Sequence, residues 1–379
     1  MLTHLNDLIR CHLLGKLKML YRKPLLGEFS NISEPSVVPA TIVIIVGPNF
    51  SVYHQNASTK CRIGWMNGAK QLGLNSCIIS AGEISDRLSD ISNPICWIAG
   101  TDYIYLSRSS IRTLRNYKHI VWVPTKFKGD AEYYASIASP NLSVSDTLMR
   151  KILSSYPQWI FTISPEASFE YYDDWLKSGA KLISLPLACD THLYNYDSAA
   201  SRKYPNVDLA FVGGYWGYKS RQLDKYLKPL SKLLTVYGYT TWPYGKYSGV
   251  LDDHDEKYLY RDACISPIIN EPHVSCMGID INERVFKVIA SGGMAVTDAT
   301  PAYREWFTSS ELLVPRDILE FREIINDILS DPSKFDDIRR NGRMAVIQKH
   351  TYAHRVSSVC KLFGIENMMS NTEHAISQN

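Results

Sequence analysis

The chain has 379 residues, of which 45% are hydrophobic and 21% charged, and a formal charge of +3 at pH 7. That length exceeds one ordinary domain, and the apolar share suffices to bury more than one core. The near-neutral balance argues against the concentrated basic surface of a nucleic-acid protein, and no apolar run approaches the ~18 residues of a membrane span.

The eight cysteines (Cys11, Cys61, Cys77, Cys96, Cys189, Cys264, Cys276 and Cys360) form no C-x-x-C pair and have no histidine cluster beside them. A zinc site is therefore not expected, and buried free thiols in a reducing cytoplasm fit the pattern. The 24 tyrosines and 8 tryptophans supply rings that fill cores and also stack on sugars or bases.

Residues 2–20 place leucines at helical spacing, with Arg10, Lys16, Lys18, Arg22 and Lys23 near the end. Such a segment docks on the body of the protein or lies on an anionic membrane surface, so peripheral membrane contact through residues 1–23 is one expectation. No small-residue cleavage site follows a clean apolar stretch, so the start does not read as a signal peptide. Residues 28–40 carry Ser and Pro without periodicity and read as a linker.

From residue 41, strands and helices alternate. The runs 41–46, 75–80, 95–99, 119–124, 159–163 and 181–187 read as strands. A helix is predicted over 57–72, stopping at Gly73, with others near 83–90, 107–116, 143–155 and 165–178. This order predicts a parallel sheet with helices on both faces. The polar stretch 195–207 breaks the pattern, and a second series follows, with strands at 208–214, 233–238, 264–270, 294–298 and 311–315. Its helices are expected near 219–230, 283–291, 317–329 and 333–348. The fold class is α/β, with two Rossmann-like domains facing a cleft. The domains read as 1–40, an extension and linker; 41–206, the first α/β domain; 207–350, the second; and 351–379, a C-terminal helix and tail. Open α/β sheets bind ligands beyond the carboxyl ends of their strands.

Two strand-to-helix junctions in the second series carry chemistry. In LAFVGGYWGYKSRQL (209–223), a strand runs into Gly213 and Gly214 ahead of a helix. A glycine turn there lets backbone N–H groups approach phosphate, and Lys219 and Arg221 would add charge-assisted bonds. In GIDINERVFKVIASGGMAVTD (278–298), Asp280 followed by Glu283 resembles a capping box, and Asn282 is a good cap in its own right. Arg284 would meet a diphosphate at the head of that helix, while Gly292 ends it and Gly293 allows close approach to the next strand. Asp253-His254-Asp255 has the spelling of a metal clamp, but its polar surroundings read as a solvated loop.

The run N-x-R-x-F, then A-S-G-G, then a T-D strand end is similar to the C-terminal domain of GT-B glycosyltransferases. It resembles most the branch called spore-maturation-type. SLPLACDTHLYN (184–195), VDLAFVGG (207–214), LYRDACISPIIN (259–270) and KHTYAHR (349–355) agree in order, so the resemblance covers roughly 155–360. It implies a nucleotide-sugar donor in the second domain and the acceptor in the first. Gly213 and Gly214 would lie under the diphosphate, Asn282 and Arg284 would line the donor pocket, and Ser291, Gly292 and Gly293 would lie behind it. Where the family commonly has Glu after the Phe, this chain has Lys287; Glu283, one turn earlier, is the nearest substitute for holding a ribose. The family's way of stabilising the departing diphosphate, by helix dipoles and cationic side chains, implies no bound metal and no other cofactor.

An inverting transfer needs a base for the acceptor hydroxyl. His54, Asp102, Asp130 and Glu132 each follow the carboxyl end of a predicted strand and are the candidates. The expected reaction moves a sugar to a glycan, lipid-linked or protein acceptor in surface polysaccharide or glycoconjugate synthesis. Two other readings share the scaffold: a nucleotide-sugar 2-epimerase, and a non-catalytic sugar-binding or scaffold protein, which Lys287 leaves open.

Overall fold

A computed structural model of the protein describes residues 40–48, 50–51, 56–123, 145–196, 201–278 and 280–365. All of them belong to one compact unit, Val38–Asn379. The proposed amphipathic segment, His54, Asp130 and Glu132 lie outside the described residues.

The first lobe is a six-stranded parallel sheet of β1 (Thr41–Val46), β2 (Asn75–Ser80), β3 (Pro94–Ala99), β4 (Lys118–Trp122), β5 (Trp159–Thr162) and β6 (Leu182–Ser184), in the order β2-β1-β3-β4-β5-β6. Every residue of β1 is buried, as both faces of a parallel sheet require. Period-two alternation divides its side chains. Ile42, Ile44 and Val46 enter a core with Trp65, Trp97 and Phe161, whereas Val43 and Ile45 enter a second core with Ile98, Tyr103 and Trp175. Helix α1 (Ala57–Gln71) covers the first face, its N-terminus capped by the Asn56 side chain. Helices α2 (Ile84–Arg87), α3 (Arg108–Leu114), α4 (Asp146–Leu153) and α5 (Asp173–Lys177) follow in chain order. The helix expected over 165–178 is 3₁₀ over Glu166–Tyr172 and α-helical only in α5.

The second lobe has shorter strands. β7 (Leu209–Val212), β8 (Leu234–Tyr237) and β9 (Lys246–Tyr247) form one parallel set, and β10 (Ser266–Ile268) and β11 (Ala295–Thr297) another. A bridge between Leu209 and Ile265 joins the sets. The run 311–315 contributes only a single bridge, Val296 to Leu313, rather than the expected strand. The helices are α6 (Gly217–Tyr226), α7 (Asp253–Asp262), α8 (Pro272–Met277), α9 (Glu283–Ala290), α10 (Ile318–Ser330) and α11 (Asp336–Lys349). Asp253-His254-Asp255 is the first turn of α7, capped by Asp252, and not a solvated loop. Three acidic residues at a helix N-terminus favour the dipole there.

The last described helix, α12 (Tyr352–Leu362), does not extend the second lobe. It packs on α1, and Tyr352, Ala353, Val356, Val359 and Cys360 enter the first lobe's core. Gly64 and Gly68 make this possible: an added Cβ would sit 2.3 Å from the Tyr352 ring and 2.5 Å from the Tyr352 backbone respectively. The chain therefore passes between lobes twice, and the two passages are stitched side by side. Cys189 N–H donates to His350 O at 2.8 Å, and Tyr352 N–H donates to Cys189 O at 3.0 Å. Among the described residues no helix is long and apolar enough to cross a membrane.

Candidate functional site: two cations at the glycine turn

The site lies where β7 ends. Gly213 N–H donates to Tyr237 O at 2.8 Å, and Gly213 O accepts from Trp242 Nε1 at 3.0 Å. Tyr215 N–H donates to Thr240 Oγ1 at 2.6 Å. The turn is thus cinched against the loop after β8. A Cβ on Gly238 would stand 2.6 Å from Gly213 O, so the two backbones approach as only glycine permits. Exposed Trp216, the residue before α6, lies against Gly214, where a Cβ would meet its ring at 3.0 Å.

Two cations converge on this turn. Lys219 is buried on α6, and helical spacing explains why: it lies four residues before buried Leu223 and seven before Tyr226, on the packed face. Arg221 falls about 200° away at 100° per residue and is exposed. The structure brings Lys219 to the turn and leaves Arg221 on the outer face. Lys219 Nζ lies 5.0 Å from the Trp216 ring centroid and 6.0 Å from that of Phe211, and Arg284 Cζ lies 4.4 Å from the same Phe211 ring. A Cβ on Gly213 would stand 3.0 Å from Arg284 Nη2.

The charges of these two residues are poorly compensated. The nearest carboxylate to Lys219 is Glu271, at 3.8 Å. Burial, and then the neighbouring Arg284, push the Lys219 ammonium down to about 8. Arg284 Nη1 is buried and has no hydrogen-bond partner. A buried charged donor left unpaired costs roughly 1–3 kcal/mol or more.

Helix α9 presents Arg284. Asn282 is its cap: Oδ1 accepts from Arg284 N–H at 2.9 Å. The capping box suggested by Asp280 and Glu283 does not form. Asp280 instead accepts from Ser164 Oγ of the first lobe, and burial raises its carboxyl to about 6. Glu283 is buried and turned inward, its Oε2 2.5 Å from Lys287 Nζ and its Oε1 accepting from Tyr352 OH at 2.6 Å. Lys287 thus neutralises Glu283 on the same helix, and both are spent on structure. Ser291, Gly292 and Gly293 lie at the far end of this eight-residue helix, about 12 Å from its head. Gly292 has φ +80°, and a Cβ on Gly293 would stand 2.4 Å from Tyr260 O. They turn the chain and admit α7 closely, and they are not gathered with Lys219 and Arg284.

Asp102 lies at the carboxyl end of β3, buried, with Oδ2 2.5 Å from Arg62 Nη2. Its Oδ1 faces Gly47, where a Cβ would come within 3.1 Å. Sequence reasoning missed the loop of Gly238, Thr240 and Trp242, which holds the glycine turn. The glycine in VYGY, the last residue of a predicted strand, was the available signal for the loop.

Residues 221–361 match a family model described as glycosyl transferase-like. No curated protein gives a significant sequence match. Among solved structures, T4 phage β-glucosyltransferase in complex with its UDP-glucose substrate is similar with a TM-score of 0.51 at 12% identity, over 89% of this chain and 98% of that one. Anabaena HepE in complex with UDP and glucose gives 0.57 at 10% identity, over 85% and 99%. The N-terminal domain of Candida albicans trehalose-6-phosphate phosphatase gives 0.56 at 11% identity, over 89% and 99%. At these identities the likeness establishes the fold, which is GT-B. The glycosyl transferase-like match falls within the second lobe and its C-terminal return, over residues 221–361.

Proposed function

We propose that the protein transfers a sugar from a UDP-sugar to a glycan, lipid-linked or protein acceptor, with the donor in the second lobe (207–350) and the acceptor in the first (41–206). One observation carries the donor reading. Lys219 and Arg284 are brought to the Gly213–Gly214 turn with a single carboxylate 3.8 Å from the lysine and a buried guanidinium nitrogen unpartnered. A diphosphate supplies the missing charge and acceptors, and the same cations stabilise it as it departs. Two of the similar structures hold UDP or UDP-glucose, which favours uracil as the base.

Within the class, the ordered motifs favour the spore-maturation-type branch and a role in surface polysaccharide or glycoconjugate synthesis. The described cysteines Cys61, Cys77, Cys96, Cys189, Cys264 and Cys360 are free thiols, which suits the cytoplasm. We assign the diphosphate stabilisation to Lys219 and Arg284 without a metal. T4 phage β-glucosyltransferase has been described with UDP and Mn²⁺, so turnover should be compared with Mn²⁺ and with chelator. Asp102, His54 and Asp130 remain the acceptor-side candidates for a base.

Calorimetric titration with UDP, GDP, ADP and CDP, followed by incubation with UDP-sugars and an acceptor panel, tests the reading. The expected result is preferential UDP binding, slow hydrolysis with donor alone, and faster consumption with the right acceptor. Failure to bind any nucleoside diphosphate, or conversion of the donor sugar without an acceptor, would contradict it.

A further inference from the structure

Trp216 stands where the backbone would favour another residue. It is the N-cap of α6, a position at which Ser, Thr, Asp or Asn accepts from the first turn, and it makes no such bond. Its ring is 45% exposed, yet it is held at two points. The six-membered edge rests on Gly214, where an added Cβ would stand 3.0 Å from Cζ3 and 3.1 Å from Cε3. Lys219 Nζ lies over the ring, 5.0 Å from its centroid, an attraction between cation and aromatic face. A scattered exposed ring needs no explanation. This one is fixed by a glycine and a cation of the proposed diphosphate site.

Glu271 is the second group beside that lysine. Its Oε1 lies 3.8 Å from Lys219 Nζ, beyond hydrogen-bond range, and its side chain is 29% exposed. It caps α8 in position only, since its side chain makes no bond to the first turn. The carboxylate therefore keeps acceptor capacity within reach of solvent.

The chemistry of the two groups selects the part of a donor they fit. The groups bonded directly to the diphosphate of a UDP-sugar are the ribose and the transferred sugar, and the base lies one ring further off. A pyranose has an apolar C–H face that suits an aromatic ring and hydroxyls that donate to a carboxylate. Ribose offers a smaller face and fewer hydroxyls. A carboxylate repels phosphate, so a hydroxyl-rich group is the better partner for Glu271. We infer that Trp216 and Glu271 form the subsite for the transferred sugar: the indole carries its C–H face and the carboxylate accepts from its hydroxyls. The pair discriminates among sugars, not among bases. The inference rests on the proposed diphosphate site and names the residues beside it that read the sugar.

Calorimetry with UDP-glucose, UDP-galactose and UDP-N-acetylglucosamine first finds the UDP-sugar that the wild type binds most tightly. That compound, UDP and inorganic pyrophosphate are then titrated into Trp216→Ala, Trp216→Phe and Glu271→Gln. Trp216→Ala should weaken the UDP-sugar about five- to tenfold and change UDP and pyrophosphate by less than about twofold. Trp216→Phe should restore much of the loss. Glu271→Gln should weaken the UDP-sugar by a similar factor and leave UDP no weaker. Equal losses of UDP and UDP-sugar in Trp216→Ala would put the indole on the nucleoside or under Lys219 and overturn the inference, as would no loss of either. Tighter binding of UDP and UDP-sugar alike in Glu271→Gln would mark a mere counter-ion and overturn it too. Each of these results leaves the diphosphate site standing, whereas absence of UDP binding by the wild type removes the donor reading and this inference together.

Discussion

Two lysines, each on a helix and each buried, meet opposite surroundings. Lys60, at the junction of the lobes, has two carboxylates at 2.6 Å. Those partners outweigh burial, and its ammonium is held above the usual range. Lys219, at the glycine turn, has one carboxylate at 3.8 Å and a guanidinium beside it, and it is pushed down to about 8. Desolvation acts on both, so the partners make the difference. A satisfied buried cation is a joint in the structure. An unsatisfied one, beside a second cation and a turn that admits close approach, is a place for an anion. The contrast is the ground on which Lys219, and not Lys60, is proposed to bind a ligand.

The contrast can be broken at either end. The largest effect is expected from Glu256→Ala, which leaves Lys60 with Asp253 alone and strands the hydroxyls of Tyr194 and Tyr260. Stability should fall by about 3 kcal/mol, near the lower end for a broken buried pair, measured by urea unfolding. Next, Arg284→Ala should weaken UDP binding by about 1.5–3 kcal/mol with little loss of stability, since the wild-type guanidinium already lacks a partner at Nη1. Gly213→Ala should act on the same contact and on the core, because the new methyl would stand 3.0 Å from both Arg284 Nη2 and Phe211 Cε1. A smaller loss of UDP affinity, with a slightly lowered unfolding midpoint, is the expected outcome.

The pH dependence of UDP binding sharpens the same point. In the free protein Lys219 loses its proton as pH rises through about 8. A bound diphosphate favours the charged form, so binding above that pH requires proton uptake. Affinity should be level just below pH 8 and fall above it, and Lys219→Met should remove the dependence. The smallest effect belongs to Arg221→Ala: its side chain lies on the exposed face of α6, and UDP affinity should not change.

Most of the first lobe was legible in the sequence because its strands are continuous apolar runs separated by amphipathic helices. β1 and β2 coincide with the runs read from the sequence, 41–46 and 75–80. The second lobe was less legible because its strands are two to four residues long, too short for a period to show. Lys219 could be told from Arg221 by helical spacing alone, since Leu223 and Tyr226 already mark the buried face. No local pattern pointed to Lys60 and Glu256, which are 196 positions apart, or to the return of α12 onto α1. Asp280 and Glu283 illustrate the reverse case. Their spacing reads as a capping box, but each side chain found a long-range partner, Ser164 and Tyr352 respectively, and tertiary contacts overrode the local motif.

The most direct test is a calorimetric titration of UDP into the wild-type protein and into Lys219→Met and Arg284→Ala, all at pH 7. Saturable one-to-one binding by the wild type, weakened at least tenfold in each variant while both still unfold cooperatively, is what the account predicts. Equal affinity in all three proteins would contradict it, because the two cations would then hold no diphosphate.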